Sequence, residues 1–227
     1  LFTVNTLPSA GTITGNTPVC VGSTRALGNA VTGGVWASAN TSIATIGTSG
    51  IVTGVAMGVD TISYTTTNAC GSTTITDIVT VNPLPAAIVG ASTVCNGMDL
   101  TMTNDSTGGI WSGTSGVSVG SATGIVTAVA SGTATISYTL STGCRVTKVV
   151  TVATSPKIIT GTKNICQGAS VTLTDTTTGG TWSTADANIT VGGSTGVVSG
   201  ITPGTATVSY TISNGCFRTA TVTVNLS

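Results

Sequence analysis

One constellation returns three times along this chain at matched spacing: a Cys, a Gly-Gly-x-Trp, a Tyr, and a second Cys. The copies are Cys20, Gly33-Gly34, Trp36, Tyr64, Cys70; Cys95, Gly108-Gly109, Trp111, Tyr138, Cys144; and Cys166, Gly179-Gly180, Trp182, Tyr210, Cys216. In each copy the Trp lies 16 residues after the first Cys, and the second Cys lies 6 residues after the Tyr. Self-similarity at a step of about 71–75 residues means one module copied in tandem. A chain of this kind works through length and surface more than through a single catalytic pocket. The expected boundaries are 6–82, 83–153 and 154–227. Residues 1–5 are read as the last strand of a preceding repeat, or a strand donated to a neighbour, because Phe2-Thr3-Val4-Asn5 matches the close of repeat 1 at Val79-Thr80-Val81-Asn82.

Charge is scarce. Charged residues make up 5% of the chain, net charge is zero, and there is no His and no Glu, against roughly 25% charged residues in an ordinary globular protein. That composition leaves no footprint for nucleic acid or an anionic membrane surface. No apolar run approaches the length of a membrane span. The 51 Thr and 24 Ser residues must carry solubility through their hydroxyls. Disorder does not fit, because Val, Ile, Trp and Tyr recur in register and mean hydropathy is positive, at +0.48.

Apolar/Thr alternation marks half-buried strands at Thr61-Ile62-Ser63-Tyr64, Thr135-Ile136-Ser137-Tyr138 and Thr207-Val208-Ser209-Tyr210, and again at the close of each repeat. No segment carries helical periodicity. About seven short strands per 75 residues predict an all-β chain of three antiparallel sandwiches. Gly50, Gly124 and Gly196 are expected to take positive φ ahead of a strand. Trp36, Trp111 and Trp182 on the third strand, with Tyr64, Tyr138 and Tyr210 on the sixth, are expected in the cores. An aromatic sugar-binding face is then left with only Phe2 and Phe217.

The run from Trp36 through Ala44-Thr45-Ile46 and Gly50-Ile51-Val52-Thr53-Gly54-Val55 to Thr61-Ile62 resembles bacterial immunoglobulin-like group 2 domains, and Gly124–Gly132 and Gly196–Gly204 repeat its second half. The Cys-x-Gly opening and the Cys close look like tandem repeats in large secreted or surface proteins of Bacteroidota. The resemblance implies three tandem immunoglobulin-like β-sandwiches serving as spacers, with no catalytic residue to carry over.

Six cysteines, two per repeat, with no Cys-x2-Cys pair and no His, read as disulfides rather than a metal site. They place the chain outside the cell or at its surface. Leu1 in place of Met is read as a removed export signal or a segment of something longer. On the topology that the resemblance implies, the first Cys sits at the turn after strand one and the second in the hairpin between strands six and seven. These lie at opposite poles of one sandwich, a strand length of roughly 26 Å apart, whereas bridged Cα atoms lie within about 7 Å. This favours the inter-domain pairs Cys20–Cys144 and Cys95–Cys216, leaving Cys70 and Cys166 to neighbours. The alternative keeps Cys20–Cys70, Cys95–Cys144 and Cys166–Cys216 within repeats.

Other chemistry is thin. Without His, no Ser or Cys has a base to activate it. The six Asp residues share no common register and are expected as solvated loop or strand-edge groups, with no cluster for a metal. Asp60-Thr61, Asp105-Ser106 and Asp175-Thr176 resemble a Bacteroidota O-glycosylation pattern, making Thr61, Ser106 and Thr176 candidate acceptors. Asn40, Asn104 and Asn188 head sequons. The expected role is non-enzymatic and needs no cofactor: part of an extracellular stalk, fibre or filament whose partners are copies of itself or neighbouring repeats. The alternative is an adhesin module that binds a glycan or surface ligand through its loops.

Overall fold

The computed structural model describes residues 6–226, so the expectation for residues 1–5 lies outside the described residues. Within them the protein is three tandem immunoglobulin-like β-sandwiches. Repeat 1 holds β1 (Ile13–Thr14), β2 (Val19–Cys20), β3 (Thr24–Ala26), β4 (Gly28–Asn29), β5 (Val35–Ser38), β6 (Ala44–Ile46), β7 (Ile51–Gly54), β8 (Gly58–Asn68) and β9 (Gly71–Asn82). Repeat 2 holds β10 (Thr93–Cys95), β11 (Asp99–Thr101), β12 (Ile110–Gly113), β13 (Val117–Val119), β14 (Ile125–Ala128), β15 (Gly132–Thr139) and β16 (Arg145–Ala153). Repeat 3 holds β17 (Asn164–Cys166), β18 (Ser170–Thr172), β19 (Thr181–Ser183), β20 (Ile189–Val191), β21 (Val197–Gly200), β22 (Gly204–Thr211) and β23 (Phe217–Asn225).

Each repeat has a four-stranded and a three-stranded sheet, and repeat 1 adds the two-stranded pair β1-β4. The orders are β2-β9-β8-β5 with β3-β7-β6, β10-β16-β15-β12 with β11-β14-β13, and β17-β23-β22-β19 with β18-β21-β20. The chain also divides into two compact units, Leu1–Ile88 with Asn104–Ile110 and Ser137–Thr147, and Val89–Thr103 with Trp111–Ile136 and Lys148–Ser227.

The sheets are not wholly antiparallel. The opening strand of every repeat runs parallel to the closing one, with Cys20 beside Asn82, Cys95 beside Ala153 and Cys166 beside Asn225. Just upstream, the chain pairs antiparallel with the stretch that follows the second strand: β1 with β4 as a small two-stranded sheet in repeat 1, and Val89 with Thr103 and Thr160 with Thr174 as isolated bridges. The opening segment is therefore split between this short antiparallel pairing and the four-stranded sheet. It crosses at Gly15, Gly90 and Gly161, all at positive φ, where a Cβ would run into the carbonyl of Ala26, Thr101 or Thr172. A crossing this close to the neighbouring backbone is open to Gly alone.

Period-two alternation builds the cores. In β22, Ala206, Val208 and Tyr210 face inward and meet Ala220, Val222 and Val224 of β23 around the buried Val198, Ile165 and Ile189. In repeat 1, Ile62, Val79 and Val81 pack against Val52, Ala44 and Leu27. Trp111 and Trp182 are buried, as are all three Tyr. Trp36 departs from the expectation: it is half-buried, packed against its cluster from the rim. Cross-strand Trp–Tyr pairs stand at 4.6 Å between centroids for Trp36–Tyr64 and 4.7 Å for Trp182–Tyr210, within the range of favourable tilted ring contacts. Gly50, Gly124 and Gly196 take positive φ directly beneath the three Trp indoles.

The Gly-Gly of each motif serves the Tyr. Gly34 N donates to Tyr64 Oη at 2.8 Å, and that hydroxyl donates to Val31 O at 2.6 Å. Tyr138 does the same with Gly109 and Ser106, and Tyr210 with Gly180 and Thr177. A side chain on Gly34, Gly109 or Gly180 would collide with the ring. The loop below is closed by an amide: Asn29 Nδ2 donates to Ala10 O at 2.8 Å, and Asn104 Nδ2 donates to Ala86 O at 2.5 Å. In repeat 3 the place is taken by Asp175. Its Oδ1 accepts from Thr177 N at 2.7 Å, but Oδ2 is buried without a hydrogen-bond partner. A carboxylate has no hydrogen to give where the amide donates.

Two outcomes follow. Gly34→Ala should destabilise by about 1–3 kcal/mol through overpacking; Asp175→Asn should stabilise by about 1 kcal/mol by restoring the amide bond. Urea unfolding of the intact chain, followed by Trp fluorescence, measures both. An unchanged or lowered midpoint for Asp175→Asn would refute the second.

Candidate functional site: the cysteine-bearing poles

The parallel seating of the opening strand carries the first Cys of each repeat to the end of that repeat's last strand. The turn after it is built alike three times. Val21 N donates to Asn82 O at 3.0 Å and Gly22 N to Gly54 O at 2.8 Å; Asn96 and Gly97 donate to Ala153 O and Ala128 O, and Gln167 and Gly168 to Asn225 O and Gly200 O. The second Cys lies in the hairpin between the last two strands of its repeat, β8 and β9, β15 and β16, or β22 and β23, at the opposite pole.

Two disulfides join these poles across repeat boundaries, Cys20–Cys144 and Cys95–Cys216, each with 5.7 Å between Cα atoms. The within-repeat pairs are not formed. Each disulfide falls inside one compact unit. Cys144 and Cys216 are fully buried, whereas Cys70 and Cys166 are free thiols and exposed.

Around Cys95–Cys216 the linker is held from both sides. Ser155 Oγ donates to Asn96 O at 2.7 Å on the side of the first Cys. On the hairpin side, Asn214 Nδ2 donates to Thr154 O at 2.9 Å, and Arg218 Nε to Pro156 O at 3.3 Å. Asn214 Oδ1 also accepts from Cys216 N, which ties the linker clamp to the cysteine itself. The Cys70 hairpin keeps the same clamp: Asn68 Oδ1 accepts from Cys70 N at 2.8 Å and Asn68 Nδ2 donates to Thr6 O at 2.9 Å. Its turn differs. Gly143 and Gly215 precede the bonded cysteines at positive φ, and Ala69 stands in that place in repeat 1. Ala resists that conformation, and the hairpin closes tightly with Asn68 paired to Gly71.

Several polar residues are structural. Asp60 is buried, contrary to the expectation of a solvated carboxylate, because Ser38 Oγ and Asn40 N donate to it at 2.7 and 2.9 Å. Asp77 accepts from Asn16 Nδ2 at 2.7 Å, and Asp186 accepts from Thr207 N. Of the O-glycosylation candidates, Thr61 and Thr176 are exposed. Ser106 is half-buried and its hydroxyl accepts from Ala86 N at 2.8 Å. The sequon residues are engaged as well: Asn40 accepts from Ser42, and Asn104 and Asn188 donate to backbone carbonyls. Sequence reasoning missed Asp60 and Ser106 because both roles depend on partners about 20 residues away. Among the described residues there is no group of three or more His, Cys, Asp or Glu placed to hold a metal. Among those residues, too, no helix is long and apolar enough to cross a membrane.

No family model and no curated protein matches the chain. Solved structures that align with it include domains 1–6 of the surface layer protein SbsC, at 15% identity and TM-score 0.30, covering 97% of this chain and 41% of that one. An I-band fragment of titin aligns at 11% identity and TM-score 0.28, covering 93% and 95%. A SusE-like, surface-located polysaccharide-binding protein from the heparin utilisation locus of Bacteroides thetaiotaomicron aligns at 9% identity and TM-score 0.38, covering 94% and 60%. This chain thus spans less than half of the SbsC fragment.

Opening one junction tests the clamp. A disulfide closing a loop of this span, 124 residues for Cys20–Cys144, contributes up to about 5 kcal/mol by chain entropy, and loss of a native bridge commonly costs about 2–5. Cys144→Ser should lower the thermal midpoint of the oxidised chain and leave that of the reduced chain nearly unchanged. Equal shifts in both states would place the effect in packing, not in the bridge.

Proposed function

We propose that this chain is a load-bearing part of an extracellular or cell-surface stalk, fibre or filament, built from immunoglobulin-like repeats stapled across their junctions. The observation that carries this reading is the connectivity: each bridge runs from the end of one repeat to a hairpin of the next. A bridge within a repeat stabilises a module. A bridge across a junction limits how far two modules can part, which serves a structure under tension. Disulfides also need an oxidising compartment. An outer surface of hydroxyls rather than charges suits lateral contact with copies of the same chain, since little repulsion opposes it. The role is non-enzymatic and assigns no cofactor. Its partners are copies of the chain or neighbouring repeats.

Single-molecule pulling of the oxidised chain tests the reading, with disulfide mapping of the native material beside it. Reductant should lengthen the extension released on full unfolding, because the spans closed by the two bridges become free. Equal extension with and without reductant would sink the proposal. A glycan array on the same three-repeat chain separates it from the adhesin alternative: specific retention of one glycan class favours binding as the main role.

The absence of His removes the side chain that ordinarily titrates between pH 5 and 8. The thermal midpoint of the oxidised chain should therefore stay flat across that window. A midpoint that moved by many degrees would show a titrating group the fold depends on.

A further inference from the structure

We infer that a cleft on repeat 1, between the loops at 32–34 and 48–50, binds one neutral pyranose ring of an oligosaccharide. The inference goes beyond the load-bearing role and does not depend on it. The cleft has a volume of about 330 Å³, is lined in part by Trp36 and Tyr64, and holds no charged side chain. That volume lies at the small end of the range for ligand pockets, roughly 300–1,000 Å³, which suits a single ring rather than an extended segment.

The polar groups of the cleft divide into two sets. One is committed to the fold: Asn29 donates to Ala10 O and accepts from Val31 N, and Tyr64 Oη bonds Gly34 N and Val31 O. The other is free. The hydroxyls of Thr32, Thr48 and Ser49 and the indole N–H of Trp36 have no hydrogen-bond partner among the described residues. Gly50 lies against the pyrrole edge of Trp36, where a Cβ would stand 3.2 Å from Nε1, so the indole N–H is brought to the loop that carries Thr48 and Ser49. Trp36 is also the half-buried member of its set, whereas Trp111 and Trp182 are only 6% and 7% exposed. Repeat 3 has a matching cleft of about 340 Å³, but there Trp182 is buried, Asp175 adds a carboxylate, and the Thr195 hydroxyl already accepts from Val197 N.

The free groups fix the chemistry of the occupant. An apolar ligand would strip water from three hydroxyls and an N–H and offer no hydrogen bond in return. A charged ligand would leave water for a cleft without a counter-charge. A sugar hydroxyl both donates and accepts, as the Thr and Ser hydroxyls do, and it accepts from an indole N–H, which only donates. The C–H face of a pyranose ring suits the accessible part of an aromatic side chain that is apolar over its body and polar at one edge.

The test is an NMR titration of the intact, isotope-labelled chain with neutral oligosaccharides of glucose, mannose, galactose and N-acetylglucosamine. The three Trp residues give three indole N–H signals. With at least one of these sugars the Trp36 signal should move while those of Trp111 and Trp182 stay, and the response should be insensitive to salt. The double variant Thr48→Ala, Ser49→Ala, altered at two exposed positions, should bind that sugar about tenfold more weakly, the loss of two neutral hydrogen bonds. No movement of the Trp36 signal with any of the sugars would overturn the inference. So would equal movement of all three signals, or binding that the double variant leaves intact. The load-bearing reading stands under each of these outcomes, because the pulling experiment that tests it uses no sugar.

Discussion

The parallel pairing of each opening strand with its closing strand is the constraint from which the rest follows. An opening segment that kept its short antiparallel pairing would not reach the four-stranded sheet. Because the chain crosses at Gly15, Gly90 and Gly161, the first Cys arrives beside the last residues of its own repeat, Asn82, Ala153 or Asn225. That is the pole from which the linker departs. The nearest cysteine is then in the hairpin of the following repeat, and the bridge spans the junction. Connectivity here is a consequence of strand direction.

The second organising feature is how a nearly uncharged chain achieves a unique fold. Only 5% of its residues carry a charge. Outward hydroxyls pair across strands, as in Thr65 with Thr74, Thr67 with Ser72 and Ser170 with Ser199. Inside, the Tyr hydroxyl of each repeat both receives the Gly amide hydrogen and gives its own to a loop carbonyl. One side chain thereby satisfies two part-buried backbone groups, where leaving a fully buried one unpaired costs on the order of 1–3 kcal/mol. The ring packs against Trp and occupies the space that a Cβ on the Gly would need. Apolar packing and polar satisfaction are met by the same residue, which accounts for the tight spacing among Gly-Gly, Trp and Tyr.

Much of the fold is legible along the chain. Period-two alternation locates β8, β9, β22 and β23, and the register of Trp with Tyr identifies the third and sixth strands as neighbours, because facing residues on paired strands share a surface. What escapes is whatever depends on distant partners. Trp36 carries the same motif as Trp111 and Trp182 yet lies half-buried. Asp60 looks like any solvated carboxylate until Ser38 and Asn40 are brought to it. Ser106 reads as a modifiable hydroxyl until Ala86 is seen to donate to it. Ala69, in the place of Gly143 and Gly215, was visible in the sequence, but only the paired strands show that it moves the turn.

The sequence by itself determined the number of modules, their β character, the residues that face each core and the presence of two cysteines per repeat, since each of these is a matter of local periodicity and count. Which cysteines bond was left to the tertiary structure. Spacing along the chain is the same under either pairing, while a disulfide answers only to which Cα atoms come within about 7 Å, and that depends on the sheet each opening strand joins and the direction in which it runs.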